Sequence, residues 1–120
     1  QGLMATAILG ATTTYSGIGQ STVGTEATRE TVIPMAGVIR NFWVRTSTAQ
    51  PADATMAITV RKNGASQSVT VSIGGGASGN FSDTTNSFSV VTGDRVAVQF
   101  VNNSGLPSGL VDSWAFTMDL

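Results

Sequence analysis

The sequence contains neither histidine nor cysteine in its 120 residues. Histidine is the side chain whose ordinary pKa lies near neutrality, so its absence excludes a Ser-His-Asp triad and any zinc site that needs imidazole. Without cysteine, a disulfide framework and a thiolate metal site are excluded as well. Proton-transfer chemistry would have to use carboxylates alone, which predicts that the chain is not an enzyme and needs no cofactor.

Charge is also scarce. Charged residues make up 11% of the chain, where about a quarter is usual, and the formal net charge is −1. Only six residues are basic and no window clusters them, so the sequence predicts no nucleic-acid partner. A small domain with so few charges has little electrostatic protection against association. We therefore expect other copies or a partner to cover part of its surface.

No apolar run approaches the 18 residues that a membrane-spanning helix requires, and no basic segment precedes an apolar leader. The sequence predicts no membrane partner. Because the chain begins with Gln1 instead of methionine, we expect it to be a processed or trimmed product.

Helix signals are weak, whereas period-two alternation recurs along the chain. The clearest case is Ala54–Ile73, where Asn63-Gly64 supplies the two positive-φ positions of a type I′ turn. Counting outward from this turn predicts that Lys62 faces Ala65, Ile58 faces Val69 and Met56 faces Val71, with no slip in register.

Further strands are predicted on both sides of this hairpin. Leu3–Gly10 is apolar on both faces and predicts a contact strand, and Ala11–Gly24 predicts a polar surface crossing. In Val38–Thr48, simple alternation places Val38, Phe42 and Val44 on one face and Ile39, Asn41, Trp43 and Arg45 on the other, which predicts burial on both sides.

The C-terminal half follows the same pattern. Phe81 and Phe88 are predicted anchors on either side of a turn or bulge at residues 83–86, and Val96, Val98 and Phe100 share one face. Trp114, Phe116, Met118 and Leu120 share a face of the last strand. About eight strands with regular turn signals predict an all-β fold, a single antiparallel β-sandwich of jelly-roll type. Residues 1–120 form one domain, with 1–24 a possible extended N-terminal contact strand and arm.

The acidic residues lie beside turn residues or in the polar run 25–31, so we interpret Glu26, Arg29 and Glu30 as a solvated face. Calcium is an open alternative if the loops carrying oxygen ligands meet, although a chance scatter of turn residues is preferred. Those ligands are Asp83, Asn86, Asp94, Asn102 and Asn103.

Three aromatic residues could form a platform for sugar stacking: Tyr15, Trp43 and Trp114. Trp114 is preferred as core because it shares a face with Phe116 and Met118. For Trp43 an interface is preferred over a sugar platform. The sequence thus predicts no catalytic, cofactor or metal residue, and it offers a set of candidate contacts with other subunits or partners: Leu3, Met4, Ile8, Ile39, Trp43 and Arg45.

Gly93–Phe100 resembles the penultimate-strand motif of C1q/TNF-like jelly rolls, in which a Gly-Asp turn opens an alternating strand. Ile33–Phe42, Val60–Gly64 and Asp83–Thr85 resemble small jelly-roll domains of tailed-bacteriophage structural proteins. Such domains occur as capsid decoration (cement) proteins and as tips of fibres or collagen-like stalks.

This resemblance implies a homotrimer on the virion surface with a binding role. The leading hypothesis is a capsid decoration protein whose partners are its own copies and the major capsid protein or another virion protein. The alternative is a receptor-binding tip that recognises cell-surface glycan through the loops at Gln50, Gly74 and Asn102.

Overall fold

The computed structural model describes residues 2–3, 13–20, 23–49, 52, 55–102, 111 and 113–120. Within these ranges the chain is nearly all β and forms two antiparallel sheets packed as a sandwich. The strands are β1 (Gly2–Leu3), β2 (Thr13–Ser16), β3 (Thr31–Val32), β4 (Gly37–Thr46), β5 (Met56–Lys62), β6 (Ala65–Ile73), β7 (Gly79–Val90), β8 (Arg95–Asn102) and β9 (Ser113–Asp119). A single 3₁₀ turn, Glu26–Thr28, precedes β3.

The first sheet has the strand order β1-β9-β4-β7, and the second has the order β2-β8-β5-β6 with β3 also paired to β8. Most successive strands therefore lie in opposite sheets, and only the β2–β3 and β5–β6 connections stay within one sheet. This alternation is that of a jelly roll and confirms the predicted fold class. Apolar side chains from both inner faces fill the space between the sheets, among them Phe42, Val44, Ile58, Val98 and Phe100.

The β5–β6 hairpin forms as predicted, but the register predicted for it is wrong. Asn63 and Gly64 have φ values of 51° and 81°, as a type I′ turn requires, and Lys62 pairs with Ala65. Beyond Arg61 the register shifts by two residues, so that Ile58 faces Val71 and Met56 faces Ile73.

The shift arises because Gln67, Ser68 and Val69 of β6 lie opposite Val60 alone. Two extra residues preserve the alternation of faces, so Val69 and Val71 still point into the core. Contacts with β7 hold the bulge, since the Ser68 hydroxyl donates to the Ser87 carbonyl at 3.0 Å. The hairpin's pairing is therefore fixed in part by a strand of the other sheet.

A second bulge changes the predicted faces of β4. Asn41 has φ 53° and adds one residue relative to β9, where Arg40 pairs with Thr117 but Trp43 pairs with Ala115. An extra residue reverses the alternation, so Ile39 joins Phe42 and Val44 in the core. The prediction that Ile39 shares the face of Trp43 is wrong, and so is burial on both sides of this strand, because Arg40, Trp43 and Arg45 are exposed in the single chain.

The predicted bulge at residues 83–86 is confirmed in β7. Phe42 pairs with Asp83 and Arg40 pairs with Ser87, so residues 84–86 stand opposite Asn41. Phe81 and Phe88, on either side, pack against the core as expected for anchors. The bulges of β4 and β7 thus face each other across one strand pair.

The N-terminal region differs from the predicted surface crossing. Thr13–Ser16 forms an edge strand on β8, Tyr15 bridges to Val23, and the Ser16 side chain is buried. Trp114 donates its indole N–H to the Ser16 hydroxyl at 3.3 Å, which ties this edge to the core. Of the predicted contact strand Leu3–Gly10, Leu3 lies in β1 and pairs with Ser113, while residues 4–10 lie outside the described residues.

The last strand carries its predicted apolar face only in part. Trp114 is fully buried, and Phe116 and Met118 pack against the core cluster. Leu120 lies beyond the end of β9 and is 79% exposed, so its predicted place on that face is wrong.

Among the helices of the described residues, none has the length and apolar character needed to cross a membrane.

Candidate binding surface

The outer face of the first sheet is the most distinctive surface of the molecule. Strand pairing aligns side chains in rows across β7, β4 and β9, because directly paired residues lie on the same face. One row is Asn80, Arg45 and Ser113, and the next is Ser82, Trp43 and Ala115. A pair of further rows, Ser87–Arg40–Thr117 and Ser89–Val38–Asp119, continues toward the other end of the sheet.

A concavity of about 220 Å³ lies at the end that carries Trp43. The Trp43 ring is 48% exposed, and the small residues Ala115 and Ser113 lie beside it on β9. Arg45 donates from Nη1 to Asn80 Oδ1 at 3.0 Å, which orients both side chains at the rim. We refer to this site, lined by Trp43, Arg45, Asn80, Ser113 and Ala115, as the Trp43 concavity.

A larger, shallower concavity of about 580 Å³ lies at the opposite end of the same face. Its apolar lining comes from Ala36, Val38, Val91 and Leu120, of which Val91 is 58% exposed. Arg40 and Asp119 form an ion pair beside it, so the charges of this region neutralise each other. We refer to this region as the end surface.

The structure separates the predicted contact residues. Trp43 and Arg45 lie together on the outer face, and the backbone of Leu3 lies next to Ser113 in the register of β1 and β9. Ile39 is fully buried between the sheets, which removes it from any contact surface of the folded chain. Met4 and Ile8 lie outside the described residues.

Among the carboxylates of the described residues, Asp83 has the most strongly perturbed pKa. It is only 8% exposed, and it accepts hydrogen bonds from the backbone N–H groups of Thr70, Thr85 and Asn86 and from the Asn86 side chain, at 2.9–3.1 Å. Burial alone would raise its pKa, but these hydrogen bonds, led by Asn86, outweigh burial and lower the pKa to about 2. The carboxylate is a fixed acceptor that joins β6 to the β7 bulge.

The predicted solvated face of residues 26–30 is wrong for Glu26 and for Glu30, whose side chain is only 12% exposed and pairs with Arg95 at 3.2 Å. The Glu26 carboxylate binds the Arg61 guanidinium in a two-pronged contact at 2.8 and 3.0 Å, with both side chains only 16% exposed. The hydrogen bond that Arg61 donates to Glu26 raises the pKa of Arg61 above its ordinary value. Arg61 also lies 5.9 Å from the centre of the Tyr15 ring. This cluster anchors the 3₁₀ turn to the second sheet.

The aromatic platform proposed from sequence does not assemble. Tyr15 lies on the second sheet, Trp43 on the first, and Trp114 is buried beneath the concavity, which confirms its assignment to the core. The glycan site predicted at three loops also changes. Asn102 does not lie in an exposed loop, because it is buried within β8, and Gln50 lies outside the described residues.

The calcium alternative gains no support. Within the described ranges, no group of three or more Asp, Glu, His or Cys side chains is placed so that it could hold a metal ion. Asn86 donates its amide nitrogen to Asp83, and Asp94 instead accepts from Asn63 at 2.9 Å. Asn103 lies outside the described residues.

Sequence reasoning identified Trp43 and Arg45 but missed the residues around them. Asn80 and Ser113 are separated from Arg45 by 35 and 68 positions and meet it only through strand pairing. No local pattern distinguishes them from the other Asn and Ser residues of this polar chain. The end surface was missed for the same reason, since Val91 and Leu120 meet only in the folded sheet.

The chain was also compared with known proteins. No family model, no curated protein and no solved structure matches it.

Proposed function

We propose that the chain is a non-catalytic virion structural protein, a capsid decoration protein that assembles as a homotrimer on the particle surface. The observation that carries this proposal is the end surface, where Val38, Val91 and Leu120 leave apolar area open to solvent beside a neutralised Arg40–Asp119 pair. Because Arg40 and Asp119 neutralise each other, their charges do not repel a neighbouring copy, and about a threefold axis the end surface would pack against a different patch of that copy.

The composition supports the same conclusion. With only 11% charged residues, the chain relies on coverage of its apolar surface to stay dispersed. The threefold arrangement and the capsid partner come from the resemblance to bacteriophage jelly rolls.

The test mixes purified protein with undecorated capsids of its host virus. We expect saturable binding at a fixed number of copies per capsid and a higher temperature of capsid disruption. The double variant Val91→Ser, Leu120→Ser should lose this binding, because it removes two large apolar side chains of the end surface that are 58% and 79% exposed. Val32→Ser is the matched control, since Val32 is 63% exposed but does not line the end surface. Absence of binding by the parent chain would count against the proposal.

A second candidate function is the receptor-binding tip of a fibre or collagen-like stalk. The Trp43 concavity favours it, because an exposed indole beside hydrogen-bonding side chains is suited to an amphipathic ligand. A glycan array probed at high protein concentration tests this function, and a blank array would remove it.

A further inference from the structure

We propose that the Trp43 concavity binds a terminal sugar residue that carries a carboxylate, as in a uronic or sialic acid. The inference names the ligand class for the second candidate function and does not depend on assembly at the end surface. Val38 of the end surface and Trp43 are five residues apart on β4, roughly 15 Å along the strand.

The form of the site suits a sugar ring. Trp43 is flanked in its row by the small residues Ser82 and Ala115 and is 48% exposed. The C–H face of a pyranose ring packs on such an aromatic surface, while its hydroxyls remain at the edge. Larger neighbours on β7 or β9 would fill this space.

Hydrogen-bond donors are available at that edge. Arg45 donates from Nη1 to Asn80 Oδ1, and this contact orients the guanidinium in the lining of the concavity. Within the described part of the chain, Arg45 Nη2 and Asn80 Nδ2 have no other hydrogen-bond partner, and the Ser113 hydroxyl has none. These groups can donate to ring hydroxyls and to an acid group.

The charge of the site favours an acidic ligand. Among the described residues, Arg45 is the charged side chain that lines the concavity, and it is in none of their ion pairs, which join Arg40 to Asp119, Arg61 to Glu26 and Arg95 to Glu30. The described lining therefore carries a positive charge in a planar fork of donors. A carboxylate matches that fork in charge and geometry, whereas a neutral hydroxyl matches only its donors.

The size of the concavity suits one sugar residue. A concavity of about 220 Å³ is smaller than the roughly 300–1,000 Å³ of sites that hold drug-sized ligands, so it accommodates a single ring. A single sugar residue on an open surface binds weakly, with an expected Kd on the order of 1 mM. Strong attachment to a cell surface would then come from several copies acting together.

The test is an NMR titration of the ¹⁵N-labelled full chain with methyl β-glucuronide and with methyl β-glucoside, its neutral counterpart. The two tryptophans each give one indole N–H signal. We expect the glucuronide to shift the Trp43 signal and leave that of buried Trp114 in place, with the glucoside binding about tenfold more weakly. High salt should weaken glucuronide binding.

Variants separate this proposal from a general surface effect. Trp43→Ala should abolish the shifts of neighbouring backbone amides, and Arg45→Met should weaken glucuronide binding about tenfold while leaving glucoside binding unchanged. Arg40→Met is the matched control, because Arg40 lies on the same face of β4 but lines the other concavity. The Trp114 signal reports that each variant is folded.

Three results would overturn the inference: no shift of the Trp43 signal at 20-fold excess over the expected Kd, equal affinity for the two glycosides, or undiminished binding by Arg45→Met. A fall in molar mass on Trp43→Ala would also overturn it, since Trp43 would then lie between subunits. Failure of capsid binding leaves these readouts unaffected, so the two proposals fail separately.

Discussion

The Asn63 carboxamide and the Asp94 carboxylate meet across two turns, with Asn63 Nδ2 donating to Asp94 Oδ1 at 2.9 Å. On the same residue, Asn63 Oδ1 accepts from the Arg95 backbone N–H at 2.9 Å and the Asn63 N–H donates to the Arg95 carbonyl at 2.8 Å. Asp94 Oδ2 accepts from the Val91 N–H. The β5–β6 turn is thereby fastened to the turn that precedes β8.

We expect Asp94→Ala to lower the melting temperature, because it removes the acceptor for both Asn63 and Val91. Thermal unfolding followed by circular dichroism measures the change. Val32→Ser is the control, because Val32 is 63% exposed and makes neither of these hydrogen bonds, so its replacement should change stability little. Equal melting temperatures for Asp94→Ala and the parent chain would show that the contact between the turns does not stabilise the fold.

Asp83 makes the free energy of unfolding depend on pH in the acid range. Its folded-state pKa of about 2 lies below the ordinary 3.8, so the unfolded chain binds more protons between these values and stability rises with pH there. The contribution is complete above the ordinary pKa and is lost as pH falls through about 2. The difference of nearly two pKa units corresponds to about 2 kcal/mol.

Urea unfolding of the parent chain and Asp83→Asn at pH 7 and pH 2 measures this contribution. We expect the variant to be less stable by about 2 kcal/mol at pH 7 and the difference to shrink at pH 2. A difference that stays the same at both pH values would mean that Asp83 stabilises the bulge without its charge.

Asn41 should tolerate glycine better than a β-branched residue. Its φ of 53° lies in the left-handed region, which glycine adopts freely and valine does not. We expect Asn41→Val to reduce the free energy of unfolding by about 1–2 kcal/mol and Asn41→Gly to change it by less. Chemical denaturation of both variants provides the comparison, and equal losses would argue against the bulge as the cause.

Local chemistry made the hairpin turn predictable, whereas distant contacts set its register. Asn63-Gly64 specifies its turn within two residues, but the bulge opposite Val60 depends on Ser87 and Asp83, which hold Ser68 and Thr70 from another strand. The prediction of the face on which Ile39 lies is wrong for a related reason. The alternation of β4 is broken at Asn41, a residue that reads as ordinary polar surface until its positive φ is known.

The candidate surface was predicted only at the residues that are unusual in themselves. Trp43 stands out because the chain has two tryptophans and the other shares a face with Phe116 and Met118. In the structure Trp43 is 48% exposed on the outer face of the first sheet. Asn80 and Ser113 acquire their role from strand pairing, and that pairing depends on the two bulges.

The molar mass of the purified chain in solution tests the central claim most directly. Light scattering coupled to size exclusion should give about 37 kDa, three times the 12.3 kDa of one chain, for the parent protein and for Val32→Ser. The double variant Val91→Ser, Leu120→Ser should give a lower mass while keeping its β-sheet circular dichroism spectrum. A parent chain that stays at 12.3 kDa over the accessible range of concentration would contradict assembly through the end surface.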